Sequence, residues 1–260
     1  MHDINKLRLL IHDSNPLIHT ITNSVTANDT ANLLLACNAK PIMSELIEET
    51  DEIESISKAL LINLGMPSRE RIEVMIEAGK AANKHNVPVV FDPVGISISS
   101  ARRTFSKAIL EKVKVDVIKV NVSELKALAD MYGIHDGDIR EIAATLAKQT
   151  DTIMVVTDKR DIITDGINTY MCNNGNLMLS KVTGTGCMMG ALIAAYIGVG
   201  REDKLFSTVS AVTTFNVAGE IAYERMTGRD GNATYRDYLI DGIHSMSCEE
   251  LEERMDYESR

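Results

Sequence analysis

The stretch Lys181-Val182-Thr183-Gly184-Thr185-Gly186-Cys187-Met188-Met189-Gly190, continued by Ala191-Leu192-Ile193-Ala194-Ala195-Tyr196-Ile197, decides how this chain is read. Two glycines alternate with two threonines, and a run of small apolar residues, poor in β-branching, follows at once. Such a run predicts a buried helix beginning near Gly186 rather than a strand. A glycine loop entering a helix brings several free backbone N–H groups to one point, at the positive end of the helix, which is an anion site suited to phosphate. Glycine lets the ligand approach the backbone without a Cβ in the way. Gly184, Thr185, Gly186 and Cys187 therefore form the candidate anion hole. The field of the helix start is expected to favour a thiolate at Cys187. A plainer reading makes Gly-Thr-Gly a tight turn with a cap, and no lysine follows the second glycine as it would in a P-loop.

The totals narrow the field. A chain of 260 residues, 45% hydrophobic, is long enough for one large domain or two small ones. Neither a linker nor a repeat divides it, so one domain over residues 1–260 is expected. A net charge of −10 without a basic cluster argues against a nucleic-acid partner. An acidic chain that holds an anionic ligand must use local N–H groups, a few cations or a metal. Cys37, Cys172, Cys187 and Cys248 lack metal-ligand spacing, and the start is not signal-like, so a reducing cytoplasm is expected. No apolar run reaches the roughly 20 residues that span a bilayer, so no membrane partner is expected.

Working outward from the loop, apolar strands recur along the chain at 17–21, 40–43, 59–63, 87–91, 115–120 and 152–156. Helical periodicity fills 3–12, 31–39, 69–85, 105–113, 122–132 and 138–149, and residues 45–54 read as acidic surface. A hairpin is predicted around Asp165-Gly166, and three helices near 187–198, 203–226 and 234–255. This alternation is an α/β fold with a central, mostly parallel sheet flanked by helices. The segment from Thr22 to Asn32 is unusually dense in Asn and Thr for a helix start, since these side chains compete with the backbone. It is either a well-capped helix or a polar face for a ligand or a neighbouring subunit.

Ligands of open α/β sheets sit at the carboxyl ends of the strands. Four consecutive buried strands here end in polar residues: Asn63, Asp92, Asn121 with Glu124, and Thr157. Any one alone reads as a helix cap; four on the edge that also carries the glycine loop point to a site. Asp92 and Glu124 offer hard oxygen ligands for Mg²⁺, directly or through water. Lys119 and Thr157 can contact phosphates. Phosphoryl transfer needs positioning and charge neutralisation more than covalent chemistry, so a Mg-dependent kinase fits the parts. His19, in a predicted strand, reads as a hydrogen-bonded structural residue rather than a ligand.

The chain resembles the hydroxyethylthiazole kinases of the ribokinase-like superfamily. The matching motifs, over roughly residues 15–245, are Pro16-Leu17-Ile18-His19, Ile21-Thr22-Asn23, Asn28 with Thr30-Ala31-Asn32, Pro41-Ile42-Met43, Asn63-Leu64-Gly65, Asp92-Pro93-Val94-Gly95, Asn121-x-x-Glu124 and Val182 to Cys187. The Asn-x-x-Glu and Gly-x-Gly motifs mark only the superfamily; the Ile-Thr-Asn segment and the cysteine closing the glycine loop are more specific. The resemblance implies a ribokinase-like fold without a separate lid domain, and ATP-dependent phosphorylation of the hydroxyl of 4-methyl-5-(2-hydroxyethyl)thiazole in thiamine salvage. It implies that Met43 and Gly184 contact the thiazole, that Lys119 and Thr157 contact ATP, and that Asp92 and Glu124 serve Mg²⁺. It also implies a homotrimer with the thiazole pocket at the subunit interface, lined by Asn23 and Asn28. Cys187 takes the place of the superfamily's catalytic base.

Several positions depart from the family pattern. Lys119 stands for an Arg, Val120 and Asp158 for glycines, Thr20 for an Asn and Asp29 for an apolar residue. Residues 228–232 replace the usual Gly-Pro-Gly-Ser-Phe. Two alternatives stay open at this stage. One is a ribokinase-like kinase for another small alcohol, such as hydroxymethylpyrimidine or a sugar; the other is a non-catalytic trimer that binds thiazole or nucleotide.

Overall fold

The computed structural model of the chain describes residues 3–259. Strand and helix alternate: α1 (Ile4–Ser14), β1 (Leu17–Ile21), α2 (Ala27–Ala36), β2 (Lys40–Ile42), α3 (Thr50–Ile56), β3 (Ala59–Asn63), α4 (Arg69–Lys84), β4 (Val89–Asp92), α5 (Ser100–Lys112), β5 (Val117–Asn121), α6 (Val122–Met131), α7 (Ile139–Thr150) and β6 (Ile153–Thr157). The hairpin β7 (Asp161–Thr164) and β8 (Thr169–Cys172) leads into α8 (Thr185–Val199), α9 (Lys204–Glu224), α10 (Asn232–Ser245), α11 (Cys248–Arg254) and β9 (Tyr257–Ser259). All strands of the described residues join one sheet in the order β2-β1-β3-β4-β5-β6-β7-β8-β9. Pairing is parallel from β2 to β6 and antiparallel from β6 to β9. The chain runs from β1 outward to β2 and then returns to the other side of β1 as β3, so the topological switch lies between β1 and β3. That crevice, at the carboxyl ends of the strands, is where such sheets hold ligands.

Alternate strand residues feed two apolar layers, as a pleated strand requires. Ile18, Leu61, Val90, Val117 and Val155 pack under α1, α2 and α8 to α10, while Ile21, Leu60, Ile62, Phe91, Ile118 and Val156 pack on α4 to α7. Helix α8 is buried without a break from Cys187 to Gly198. A helix apolar on every face belongs inside a core. Among the described residues no helix is long and apolar enough to cross a membrane.

Four features differ from the expectation. Helix α5 begins at Ser100, ahead of 105, because Ser99 caps it by accepting the Arg102 N–H at 3.3 Å. The last predicted helix is broken at residues 246–247, where Ser247 starts α11 by accepting the Glu250 N–H. The strand β9 adds a ninth, antiparallel member at the β8 edge. The run 45–54 is not all surface. Glu54 is fully buried, and His19 lies against it with Nδ1 2.6 Å from Oε1 and Nε2 3.0 Å from the Ser44 carbonyl. His19 is thus a structural, hydrogen-bonded residue, and burial pushes the Glu54 carboxyl up against the pull of the imidazole.

Asp161 at the start of β7 is a second buried carboxylate. It accepts from Asn216 Nδ2 at 2.7 Å and from the Asp158 N–H at 3.0 Å, yet burial pushes its carboxyl up from 3.8 to about 6. A folded pKa above the unfolded one means that its contribution is full below about pH 4 and is lost as pH rises through about 6. Urea denaturation from pH 4 to 7 is expected to show Asp161→Asn gaining up to about 3 kcal/mol relative to the parent over that window. A pH-independent difference would contradict this.

Candidate active site

The glycine loop is built as a helix start. Gly184 is the N-cap of α8 at φ 92°, a left-handed conformation in which L side chains are strained. A Cβ there would also sit 2.8 Å from Thr26 Cγ2. The first intrahelical bond runs from Met188 N to Gly184 O at 2.9 Å. The N–H groups of Thr185, Gly186 and Cys187 precede it and have no helical carbonyl to donate to. The Thr185 hydroxyl bonds the Leu179 carbonyl at 2.8 Å, so the side chain pins the loop and the backbone presents the donors. The helix begins one residue before the predicted Gly186.

Asp92, Lys119, Asn63, Asn23 and Cys187 converge below this loop. Lys119 Nζ lies 3.2 Å from Asp92 Oδ2, with both side chains buried. A Cβ on Gly186 would meet that ammonium at 2.9 Å, so the glycine makes room for the lysine. Asn63 Nδ2 donates to Asp92 Oδ2 at 2.9 Å and to Cys187 Sγ at 3.2 Å. Asn23 Nδ2 donates to Asn63 Oδ1 at 3.1 Å and lies 3.6 Å from Cys187 Sγ. Asn23 is therefore occupied within its own chain. Burial pushes the Asp92 carboxyl up to about 6 although Lys119 pulls it down. Burial alone would lower the Lys119 ammonium, but Asp92, Glu124 and Cys187 outweigh it and hold it above its ordinary value. The expected thiolate does not follow. Burial and the neighbouring Asp92 raise the Cys187 thiol despite the opposing pull of Thr26, Lys119 and Asn63.

The remaining predicted residues occupy the same sheet edge in different ways. Glu124 accepts the Gly95 N–H at 2.8 Å through Oε1 and the Asn121 N–H at 2.9 Å through Oε2, completing a capping box on α6. Both oxygens are engaged with backbone, and its charge still reaches Asp92 and Lys119. Thr157 is half-buried beside Asn121, its hydroxyl 3.3 Å from the Val120 carbonyl. Met43 lines a cavity of about 550 Å³ at the β1/β3 switch, with Thr20, Thr22 and Met66. Asn28 is exposed on α2 and accepts from Asn32 Nδ2 at 3.1 Å. The structure thus gathers Cys187, Gly184, Asp92, Lys119 and Asn23 tightly, sets Met43 in the adjacent cavity, and leaves Asn28 apart on the surface.

Residues 9–249 match the Hydroxyethylthiazole kinase family. A hydroxyethylthiazole kinase of Clostridium acetobutylicum is 42% identical over 264 residues, covering 96% of this chain and 97% of the relative. This chain belongs to the hydroxyethylthiazole kinase family. A solved hydroxyethylthiazole kinase from Pyrococcus horikoshii OT3 shares the fold at a TM-score of 0.91 with 32% identity, covering 99% of this chain and 98% of that one. The pyridoxal kinase of Staphylococcus aureus, solved with AMP-PCP and pyridoxal, aligns at a TM-score of 0.63 with 16% identity, over 94% of this chain and 98% of that one. That likeness shows the ribokinase-like fold alone.

Two features of the site were not legible in the sequence. Thr26, buried, packs on Gly184 and lies beside the Cys187 thiol, and its only sequence signal is membership of the Thr- and Asn-rich segment. Met66 carries a positive φ of 50° in the loop after β3, and nothing in its neighbours announces that.

Proposed function

We propose that the chain, acting as one kinase domain, phosphorylates the hydroxyl of hydroxyethylthiazole with ATP as donor. The observation that carries this reading is the free N–H cluster of residues 185–187 standing over Asp92, Lys119 and Cys187, next to the Met43 cavity. The loop N–H groups and the Lys119 ammonium stabilise the charge on the transferring phosphoryl group. Gly184 and Met43 bound the thiazole; Asn28, exposed on α2, faces the acceptor side at the subunit interface of a homotrimer, and Asn23 backs that pocket from within the chain. Lys119 and Thr157 meet the phosphates of ATP.

Mg²⁺ fits this edge. The buried Asp92 Oδ1 has no protein partner, which is the open hard-oxygen position such an ion uses. Among the described residues no group of three His, Cys, Asp or Glu forms a dedicated metal cage. Asp92 would therefore hold the ion together with waters and substrate phosphates, and Glu124, its oxygens already bonded to backbone, would act through water. When bound, the ion neutralises phosphate charge. Cys187, hydrogen-bonded by two amides, can take the alcohol proton only when its own thiol is deprotonated; as the thiol that burial favours it orients the hydroxyl, and the alcohol proton leaves late, on a phosphoryl oxygen, in a loose transition state where proton removal need not be strongly driven. All four cysteines are free, which fits a reducing cytoplasm.

Incubation with Mg-ATP and hydroxyethylthiazole is expected to release ADP and form one equivalent of a product heavier by one phosphoryl group. EDTA is expected to stop both. Thiazole that raises the melting temperature without any turnover would instead favour a non-catalytic binder.

A further inference from the structure

The open cavity at the β1/β3 switch is bordered by three separate loops, and one side chain joins them. Arg71, in the first turn of α4, uses all five of its N–H donors. Nε donates to Glu45 Oε2 at 2.9 Å, and one Nη2 proton goes to Glu45 Oε1. The other Nη2 proton goes to the Thr22 carbonyl. Nη1 donates to the Gly65 carbonyl at 3.1 Å and the Met66 carbonyl at 3.0 Å. The acceptors belong to the loop after β1, the loop after β2 and the loop after β3. The base of the side chain is fixed too, because Ser68 Oγ accepts the Arg71 N–H at 3.2 Å.

Both ends of this bridge bear on the acceptor pocket. Met66 lines the cavity from a left-handed backbone, φ 50°, that a non-glycine residue adopts only when its surroundings hold it there. Its sulfur lies 3.3 Å from Ser24 Oγ. Thr22, whose carbonyl Arg71 also holds, lines the same cavity, and its buried hydroxyl has no protein partner. Gly65 in turn packs on Asn23, where a Cβ would come within 2.4 Å of the amide that lies beside Cys187. With every donor spent and Glu45 balancing its charge, Arg71 offers nothing to an anion. The other wall residues, Thr20, Thr22, Ser24, Ala27, Met43 and Met66, are uncharged.

We infer that Arg71 is a positioning residue for the acceptor: its fork locks three loops so that Met66 and Thr22 form a fixed wall against an uncharged, sulfur-tolerant ring. This rests on the hydroxyethylthiazole reading of the cavity. Lysine cannot replace it, because an ammonium directs three donors from a single point and cannot reach four acceptor groups on three loops.

The test uses Arg71→Lys, Met66→Ala and the double variant in the full chain. Arg71→Lys is expected to raise the Kd for hydroxyethylthiazole, measured calorimetrically without nucleotide, about tenfold. It should leave kcat at saturating thiazole and KM for Mg-ATP within about twofold. Met66→Ala is expected to weaken binding in the parent and to add little in the Arg71→Lys background. Amide hydrogen exchange, read without any ligand, is expected to speed up together in residues 22–27, 43–47 and 64–68 of Arg71→Lys. Unchanged exchange in those loops, or equal losses in kcat and both substrates, would overturn the clamp whatever the acceptor is. Clamped loops in a parent chain that binds no thiazole would overturn the wall's assignment to that ring and fault the substrate reading instead.

Discussion

Gly184→Ala is expected to lower kcat about a thousandfold, while Cys187→Ala lowers it by about ten- to a hundredfold. The methyl group would be forced into a left-handed backbone and into Thr26 Cγ2 at 2.8 Å, so the start of α8 must shift. Loss of a single preorganised donor at a developing anion costs roughly 10²–10³ in rate. Displacing the start of α8 misaligns three such N–H groups at once. The thiol contributes less for two reasons. Its position in the interior raises it rather than activating it. A loose phosphoryl transition state also develops little positive charge on the attacking hydroxyl, so early proton removal gains little. Stopped-time ADP assays on the two variants at saturating substrates check the order. A Cys187→Ala loss as complete as that of Gly184→Ala would make the thiol an obligatory base.

Asp92→Asn is expected to remove turnover to the limit of detection and also to destabilise the fold by about 3–5 kcal/mol. The two effects share one cause. Asp92 is 1% exposed and is the partner of the buried Lys119 ammonium. Removing its charge strands that ammonium, and removing one partner of a buried pair costs far more than the pair itself contributes. The same change takes away the hard anionic oxygen proposed to hold Mg²⁺, so added Mg²⁺ should not restore activity. Urea denaturation measures the first effect and ADP release the second. An Asp92→Asn protein with parental stability would show that Lys119 relies on Glu124 instead.

The sheet was legible because its strands are apolar runs with clear ends. β1 and β3 fall where the β-branched run at 17–21 and the apolar run at 59–63 put them, and each polar residue closing β3 to β6 stands at the carboxyl edge. The glycine loop was readable only together with the polar strand ends, since Gly-Thr-Gly before a helix reads by itself as a capped tight turn. What escaped depends on partners distant in sequence. Glu54 looks like one more surface acid until His19 of β1 is set against it. β9 is three residues without an apolar pattern and exists because β8 offers an edge. Arg71 sits on an ordinary polar helix start, and its role arises only when three loops meet around it. The state of Cys187 depended on burial and on Asp92, neither of which local spacing reveals.

The most direct test of the account is the ratio of kcat/KM for hydroxyethylthiazole to that for hydroxymethylpyrimidine and for ribose, measured with Mg-ATP on one preparation. A cavity lined by Met43 and Met66 beside the glycine loop, whose charged residues Arg71 and Glu45 pair with each other, predicts a preference for the thiazole of at least about a hundredfold over either, on the order of 3 kcal/mol of transition-state discrimination. Equal values, or a preference for the pyrimidine or the sugar, would contradict it and assign the same phosphoryl-transfer edge to a different alcohol.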